Sequence, residues 1–242
     1  MINDSTSWRW IPGGFALIGA IGLSGLEPSL RSDLVDEVRS VTSRDEVNPI
    51  GGFRALAADL KWIAAYQAWQ NYDESGLRRE LEWVVQLNPQ IELFWLDGAR
   101  MLGFDVAAWR RSTTPDPETH ALINREQLDQ AVQFLGRAAE FHPRRSDFLI
   151  EEAILHLRLT GDLRSAEQAL ARAQVCDDAP YFVPRIRAEL LVKLGEDESA
   201  LEILEIELLR RGTEGPVARG AVIRSRIKEL RLRGSGIDPI IL

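Results

Sequence analysis

Ala131-Val132-Gln133-Phe134-Leu135-Gly136-Arg137-Ala138-Ala139-Glu140-Phe141-His142-Pro143 decides the fold. Its skeleton is a small residue, a large one four places on, a second small one three later, and a closing proline: Ala131, Leu135, Ala138, Pro143. Steps of three and four put the first three on one side of a helix. The skeleton returns 35 residues later as Ala166, Leu170 and Ala173, and 34 after that as Ala200, Leu204 and Glu207. A spacing held over three rounds predicts stacked helical hairpins, because one such unit cannot bury its apolar stripe alone and its neighbours must cover it.

The segments between carry the partner helices. Trp95-x2-Gly98-Ala99-x2-Leu102, Leu149-x2-Glu152-Ala153-x2-His156 and Arg187-Ala188-x2-Leu191 each offer a small residue where a paired helix approaches: Ala99, Ala153 and Ala188. Thr160-Gly161-Asp162 and Leu194-Gly195-Glu196-Asp197 supply glycines suited to a left-handed helix cap. Upstream, Leu77, Leu81, Val84 and Pro89 fit another second helix, and Ala65 is the small residue of its partner, with Lys61 in the tryptophan slot. These patterns resemble the tetratricopeptide repeat family, with its Trp-x2-Leu-Gly-x2-Tyr first helix and Ala-x3-large-x2-Ala-x4-Pro second helix. The likeness covers four units from about Ala58 to Gly212 and implies an all-α, right-handed helical-repeat solenoid that holds other proteins and catalyses no reaction.

The second unit is stretched. Pro89 and Pro143 stand 54 apart, so about 20 residues, roughly residues 105–125, exceed the 34-residue period. Ser112-Thr113-Thr114-Pro115-Asp116-Pro117 has the composition of a loop, and Asn124-x-x-Gln127 reads as a capping box that restarts the helix. The insertion is expected to be a surface loop on one face, from which Thr113–Ala121 could be deleted with little loss of stability. A last helix over residues 216–232, with Ile223, Ile227 and Leu230 on one stripe, is expected to cap the array, Pro216 suiting its first turn and Gly234 its end.

Ahead of the repeats, residues 10–26 carry no charge from Trp10 to Leu26. Seventeen helical residues span roughly 26 Å, near the short limit for a bilayer core of about 30 Å. Trp8 and Trp10 sit where an interfacial aromatic belt would lie, and Ala16, Ala20 and Ser24 form a small-residue stripe. An uncleaved membrane anchor is the expectation; a cleaved signal ending near Ala20-Ile21-Gly22 and a buried helix are the competing readings, the last weakened by the glycines. Arg9 favours a cytoplasmic N-terminus with the repeats on the outer, periplasmic side. Leu30, Leu34, Val35, Val38 and Val41 then predict an amphipathic helix, and Asn48-Pro49 and Gly51-Gly52 punctuate the chain before the next helix. The expected layout is an N-terminal anchor or signal segment over residues 1–28, an amphipathic linker over 29–50 and the repeat domain over 51–242. The stretch Gly51 to Trp62 after an apolar helix also resembles the entry to membrane-anchored bacterial tetratricopeptide proteins, which implies a bacterial envelope setting.

Composition narrows the function. A net charge of −8 argues against nucleic acid as partner, since a basic footprint is needed to displace counterions from phosphates. With 45% hydrophobic and 27% charged residues the chain can build a core, and the single Cys176 leaves no internal disulfide. His120, His142 and His156 lack partners at metal-ligand spacing, and His156 falls in an aromatic slot of the repeat, so a packed core ring is expected. Glu151-Glu152 should point to different helix faces, and Asp177-Asp178 should sit at a helix start. No phosphate loop, nucleophile elbow or triad appears. No catalytic residue, cofactor or metal is therefore expected.

The surface left for binding is the concave one, which the family resemblance assigns to positions 2, 5, 9 and 12 of each first helix. Those positions are Asp59, Trp62, Tyr66 and Trp69; Leu93, Leu96, Arg100 and Gly103; Asp147, Ile150, Ile154 and Leu157; and Phe182, Arg185, Glu189 and Val192. Trp62, Tyr66, Trp69, Leu96, Arg100, Ile150 and Ile154 are the candidate partner-binding residues. Relatives that clamp a terminal carboxylate use lysine and asparagine here, and no asparagine occupies these places. An alternative makes Trp62, Tyr66 and Trp69 core residues, covered by the Leu30–Val41 stripe or by the insertion. The basic last helix, with Arg219, Arg224, Arg226, Lys228, Arg231 and Arg233, is expected to pair with the acidic helix that carries Glu196 to Glu207. The function expected is a membrane-anchored scaffold or adaptor for a protein or peptide partner; the alternative is a permanent structural subunit of a larger envelope hetero-complex.

Overall fold

A computed structural model describes the backbone of residues 49–211 and 217–234. Residues 10–26 and the Leu30–Val41 stripe lie outside the described residues, and so do the expected anchor and linker. The chain divides into two compact units, Met1–Leu56 and Ala57–Leu242, and the second contains the array. Every described element is helical: α1 Pro49–Gln70, α2 Glu74–Leu87, α3 Glu92–Arg100, α4 Val106–Ser112, α5 Pro117–Ala138, α6 Ser146–Leu155, α7 Leu163–Gln174, α8 Val183–Lys193, α9 Asp197–Arg211 and α10 Val217–Gly234. Gly51 and Gly52, expected as punctuation, lie inside α1, which starts at Pro49 because proline is tolerated in a first turn.

Four helix pairs follow one another: α1 with α2, α3–α4 with α5, α6 with α7, and α8 with α9. The slots that carried the repeat pattern are its closest contacts. Ala65, Ala99, Ala131, Ala166 and Ala200 are fully buried, and Leu81, Leu135, Leu170 and Leu204 pack beside them. An alanine there lets helix axes approach to about 8–10 Å, and a leucine fills the gap between turns. α10 closes the end of the array as expected, setting Ile223, Ile227 and Leu230 against Ala188, Leu191, Ala200 and Leu204.

Turn chemistry is local and repetitive. Gly161 (φ 69°) and Gly195 (φ 80°) take the left-handed conformation expected of them. Each of the first three second helices is then capped by an aspartate. Asp73 accepts from Gly76 N at 2.9 Å, Asp116 from Thr119 N at 3.1 Å and Asp162 from Ser165 N at 3.0 Å. Such caps contribute about 1 kcal/mol each. Lys61, which replaces a tryptophan of the family pattern, donates to the buried Glu80 at 2.8 Å. That hydrogen bond holds the Glu80 carboxyl below its usual range against the effect of burial, and Arg79 adds to it.

The insertion departs from expectation. The extra residues form no large loop; they lengthen both helices of the second pair. α3 runs without a break through a π-helical turn, Met101–Asp105, into α4, and α5 is 22 residues long. Only Thr113–Asp116 remains as a turn between them. Val106, Ala107 and Ile123 are buried in the main core, while Phe104 and Trp109 pack against it. The helix restarts at Asp116–Pro117; Asn124 lies within α5 and donates to the Leu159 carbonyl at 2.9 Å, and Gln127 is fully buried. The expected capping box is therefore not formed, and its two residues serve tertiary contacts instead. Arg110 ties the insertion to both neighbours, reaching Glu74 at 2.9 Å and Glu126 at 2.8 Å.

Candidate partner-binding face

Trp62, Tyr66 and Trp69 follow one another at steps of four and three along α1, so they share a side of that helix. The structure divides their roles. Trp62 is partly buried with its ring centroid 5.2 Å from that of Phe94 on α3, which sets the two first helices side by side. Trp69 also packs on the core and donates its indole N–H to Asp105 Oδ2 at 2.8 Å, in the π turn of the second pair. The insertion thus holds one of the three rings, part of what the core alternative required. Tyr66 stacks on Trp69 at 5.2 Å yet remains 45% exposed.

On α3, Leu93 is 54% exposed while Leu96 packs partly against the core. Arg100 donates to Asp97 at 3.0 Å and to the buried Glu151 of α6 at 2.6 Å. The Glu151 hydrogen bond, working against burial and helped by Asp97, raises the Arg100 pKa, so this cation is permanent. On α6, Ile150 is partly buried against the Ala153–Ala166 cluster, and Ile154 is likewise partly buried. Arg158 lies over the Phe104 ring at 4.5 Å and joins the ends of the same two first helices.

Two expected groove positions face elsewhere. Gly103 is buried: a Cβ there would stand 2.6 Å from Leu155 Cδ2 and 3.2 Å from Ala131 Cβ. It belongs to the π turn, whose wider loop holds an extra residue and rotates the following positions toward the interior. Glu189 is drawn to the cap helix by Arg226, at 2.8 and 2.5 Å.

The remaining polar clusters serve structure. His142 Nε2 donates to the Pro89 carbonyl at 2.9 Å, an acceptor it shares with the Trp95 indole. His156 begins a second π turn, partly buried, with its Nδ1 unsatisfied. Glu151 and Glu152 do point apart, to Arg100 on α3 and to Arg172 on α7. Asp178 lies in the turn after α7, not at a helix start, and accepts from Ser146 N at 2.9 Å across the repeat boundary. Among the described residues no group of three or more His, Cys, Asp and Glu converges to hold a metal. Nor is any described helix long and apolar enough to cross a membrane. The basic α10 pairs with acidic neighbours through Arg226 with Glu189 and Arg231 with Glu205.

The aspartate caps were not read from the sequence, although Asp116-x-x-Thr119 and Asp162-x-x-Ser165 carried a signal for two of the three. Arg100 with Glu151 and Trp69 with Asp105 left no such signal, because each pair joins different repeats.

Paired helices, alanine slots at a constant spacing and left-handed glycine turns together define an all-α helical-repeat protein. No protein-family model matches the chain, and none of the curated proteins compared with it matches. Among solved structures it is similar to a thermophilic tetratricopeptide repeat protein of Thermus thermophilus, at 17% identity over 90% of this chain and 95% of that one, with a TM-score of 0.41.

Proposed function

We propose that this chain is a protein-interaction scaffold, tethered to a bacterial membrane, that docks a protein or peptide partner on its first-helix face and catalyses no reaction. The observation that carries this reading is the exposure of Tyr66 and Leu93 on adjacent first helices, with the half-exposed Arg100, held by Asp97 and Glu151, two turns beyond Leu93. Exposed aromatic and aliphatic side chains beside an arginine have the composition of interface hot spots. Leu96, Ile150 and Ile154 extend the face with half-buried apolar surface. Trp62 and Trp69 support it from beneath.

In full-length protein purified in detergent, Tyr66→Ala combined with Leu93→Asp is expected to cut recovery of co-purifying partners at least about tenfold, equivalent to about 1.4 kcal/mol. The melting temperature should move little, because both side chains are exposed. Undiminished recovery would remove this face from consideration.

The uncharged run from Trp10 to Leu26 supports the tether, and Arg9 supports a periplasmic position for the repeats. The protein is expected to stay in membranes washed with alkaline carbonate, with its N-terminus intact by mass spectrometry. Release with a new terminus near Leu23 or Gly25 would identify a cleaved signal instead. Exposed Leu122 on α5 and Val175 just past the end of α7 favour the second reading of a permanent subunit in a larger envelope complex. Constant stoichiometry of a co-purifying protein in the Tyr66 and Leu93 variant would select that reading.

A further inference from the structure

The two final helices of the array flank an open cleft of about 520 Å³. Leu208, Leu209, Ile227 and Leu232 supply its apolar lining, and Arg224 and Lys228 stand on its α10 side. Leu209 is 83% exposed and continues the apolar lining outward to solvent. Arg231 in the same cleft is neutralised by Glu205 at 2.6 Å. Arg224 and Lys228 have no ion-pair partner among the described residues. An occupant therefore needs aliphatic side chains together with a carboxylate.

We propose that this cleft docks a short apolar segment bearing an acid, and that its occupant is residues 237–242 of the same chain. That stretch reads Ile237-Asp238-Pro239-Ile240-Ile241-Leu242, four aliphatic residues around a single acid, and it follows α10 after Gly234-Ser235-Gly236. The two glycines permit the sharp reversal that docking requires. Reach is sufficient: with Ser235 and Gly236 spent on the reversal, Ile237 and Asp238 carry the chain about 7 Å back along α10, within side-chain reach of Lys228, which lies about 9 Å back from Gly234. Asp238 sets the register against Arg224 and Lys228, and the isoleucines cover Leu209.

Cross-linking in the full chain tests the assignment. In a Cys176→Ser background, Leu209→Cys with Ile240→Cys is treated at low protein concentration with a short linker reactive to two thiols. The control pair is Val222→Cys with Ile240→Cys, because Val222 is exposed on α10 outside the cleft. Docking predicts an intramolecular product from the first pair at least about tenfold faster than from the control, as a raised effective concentration requires. Arg224→Glu with Lys228→Glu should abolish that advantage, and adding Asp238→Lys should restore it. Equal rates for the two pairs, or indifference to charge reversal, would overturn the proposal by showing random collision. Linked dimers in place of the intramolecular product would overturn the choice of occupant and assign the cleft to the segment of a second copy.

Discussion

Trp95→Ala is expected to cost about 3–5 kcal/mol, the range for truncating a buried tryptophan. Trp95 is 2% exposed and is the largest fully buried side chain among the described residues. It joins three elements at once. Its ring lies 5.1 Å from that of Phe134 on α5 and 6.1 Å from that of Phe141, Arg137 covers it at 5.7 Å, and its indole N–H donates to the Pro89 carbonyl at 2.9 Å. The substitution therefore opens a cavity and weakens the junction of the first and second pairs together. In a repeat array such a loss need not unfold the whole chain. Urea denaturation followed by circular dichroism should show the first two pairs melting ahead of α8–α10, and a cost under about 1 kcal/mol would contradict the packing.

Deleting Thr113–Ala121 should be equally damaging, contrary to what a loop insertion would predict. The deletion would bond Ser112 directly to Leu122. Consecutive Cα atoms stand about 3.8 Å apart, whereas packed helix axes lie about 8–10 Å apart, so at least one turn of each helix must unwind. Unwinding draws Trp109 and Ile123 away from the core and removes the Asp116 cap. Each large apolar side chain exposed costs about 1.5–3 kcal/mol, for a total of several kcal/mol and a measurable fall in helicity. Inserting Gly-Ser between Thr113 and Thr114 is the control. It lengthens a surface turn and should cost well under about 1 kcal/mol. A deletion as mild as that insertion would mean that the helical extension adds nothing to the core.

The insertion misleads a reading of the sequence for an identifiable reason. Its most conspicuous residues, Ser112 to Pro117, do form a turn, but that turn is short, and the residues on either side do not continue it. Val106-Ala107 and Ile123-x3-Gln127-Leu128-x2-Ala131 keep helical spacing and are the signal that the composition obscures. Asn124 and Gln127 imitate a capping box because the same polar residues that cap helices also bridge them. The candidate face shows a similar limit. Helical spacing sufficed to put Trp62, Tyr66 and Trp69 on one side of α1, but not to choose which ring would remain exposed.

Local sterics wrote the repeat into the sequence alone: alanines where axes touch, leucines one turn away, Gly161 and Gly195 at two positive-φ turns, and Ile223, Ile227 and Leu230 as the seam of the closing helix. Each depends on residues within a few turns, and local sequence carries that information directly. Tertiary structure decided the rest. Asp105 claims the Trp69 indole from 36 residues away, Glu151 holds Arg100 across 51, and Leu155 and Ala131 close over Gly103 from neighbouring helices. Such contacts require the repeats to have stacked already. The π turn takes Gly103 into the interior, and the partition between binding surface and core is made between helices that do not adjoin in sequence.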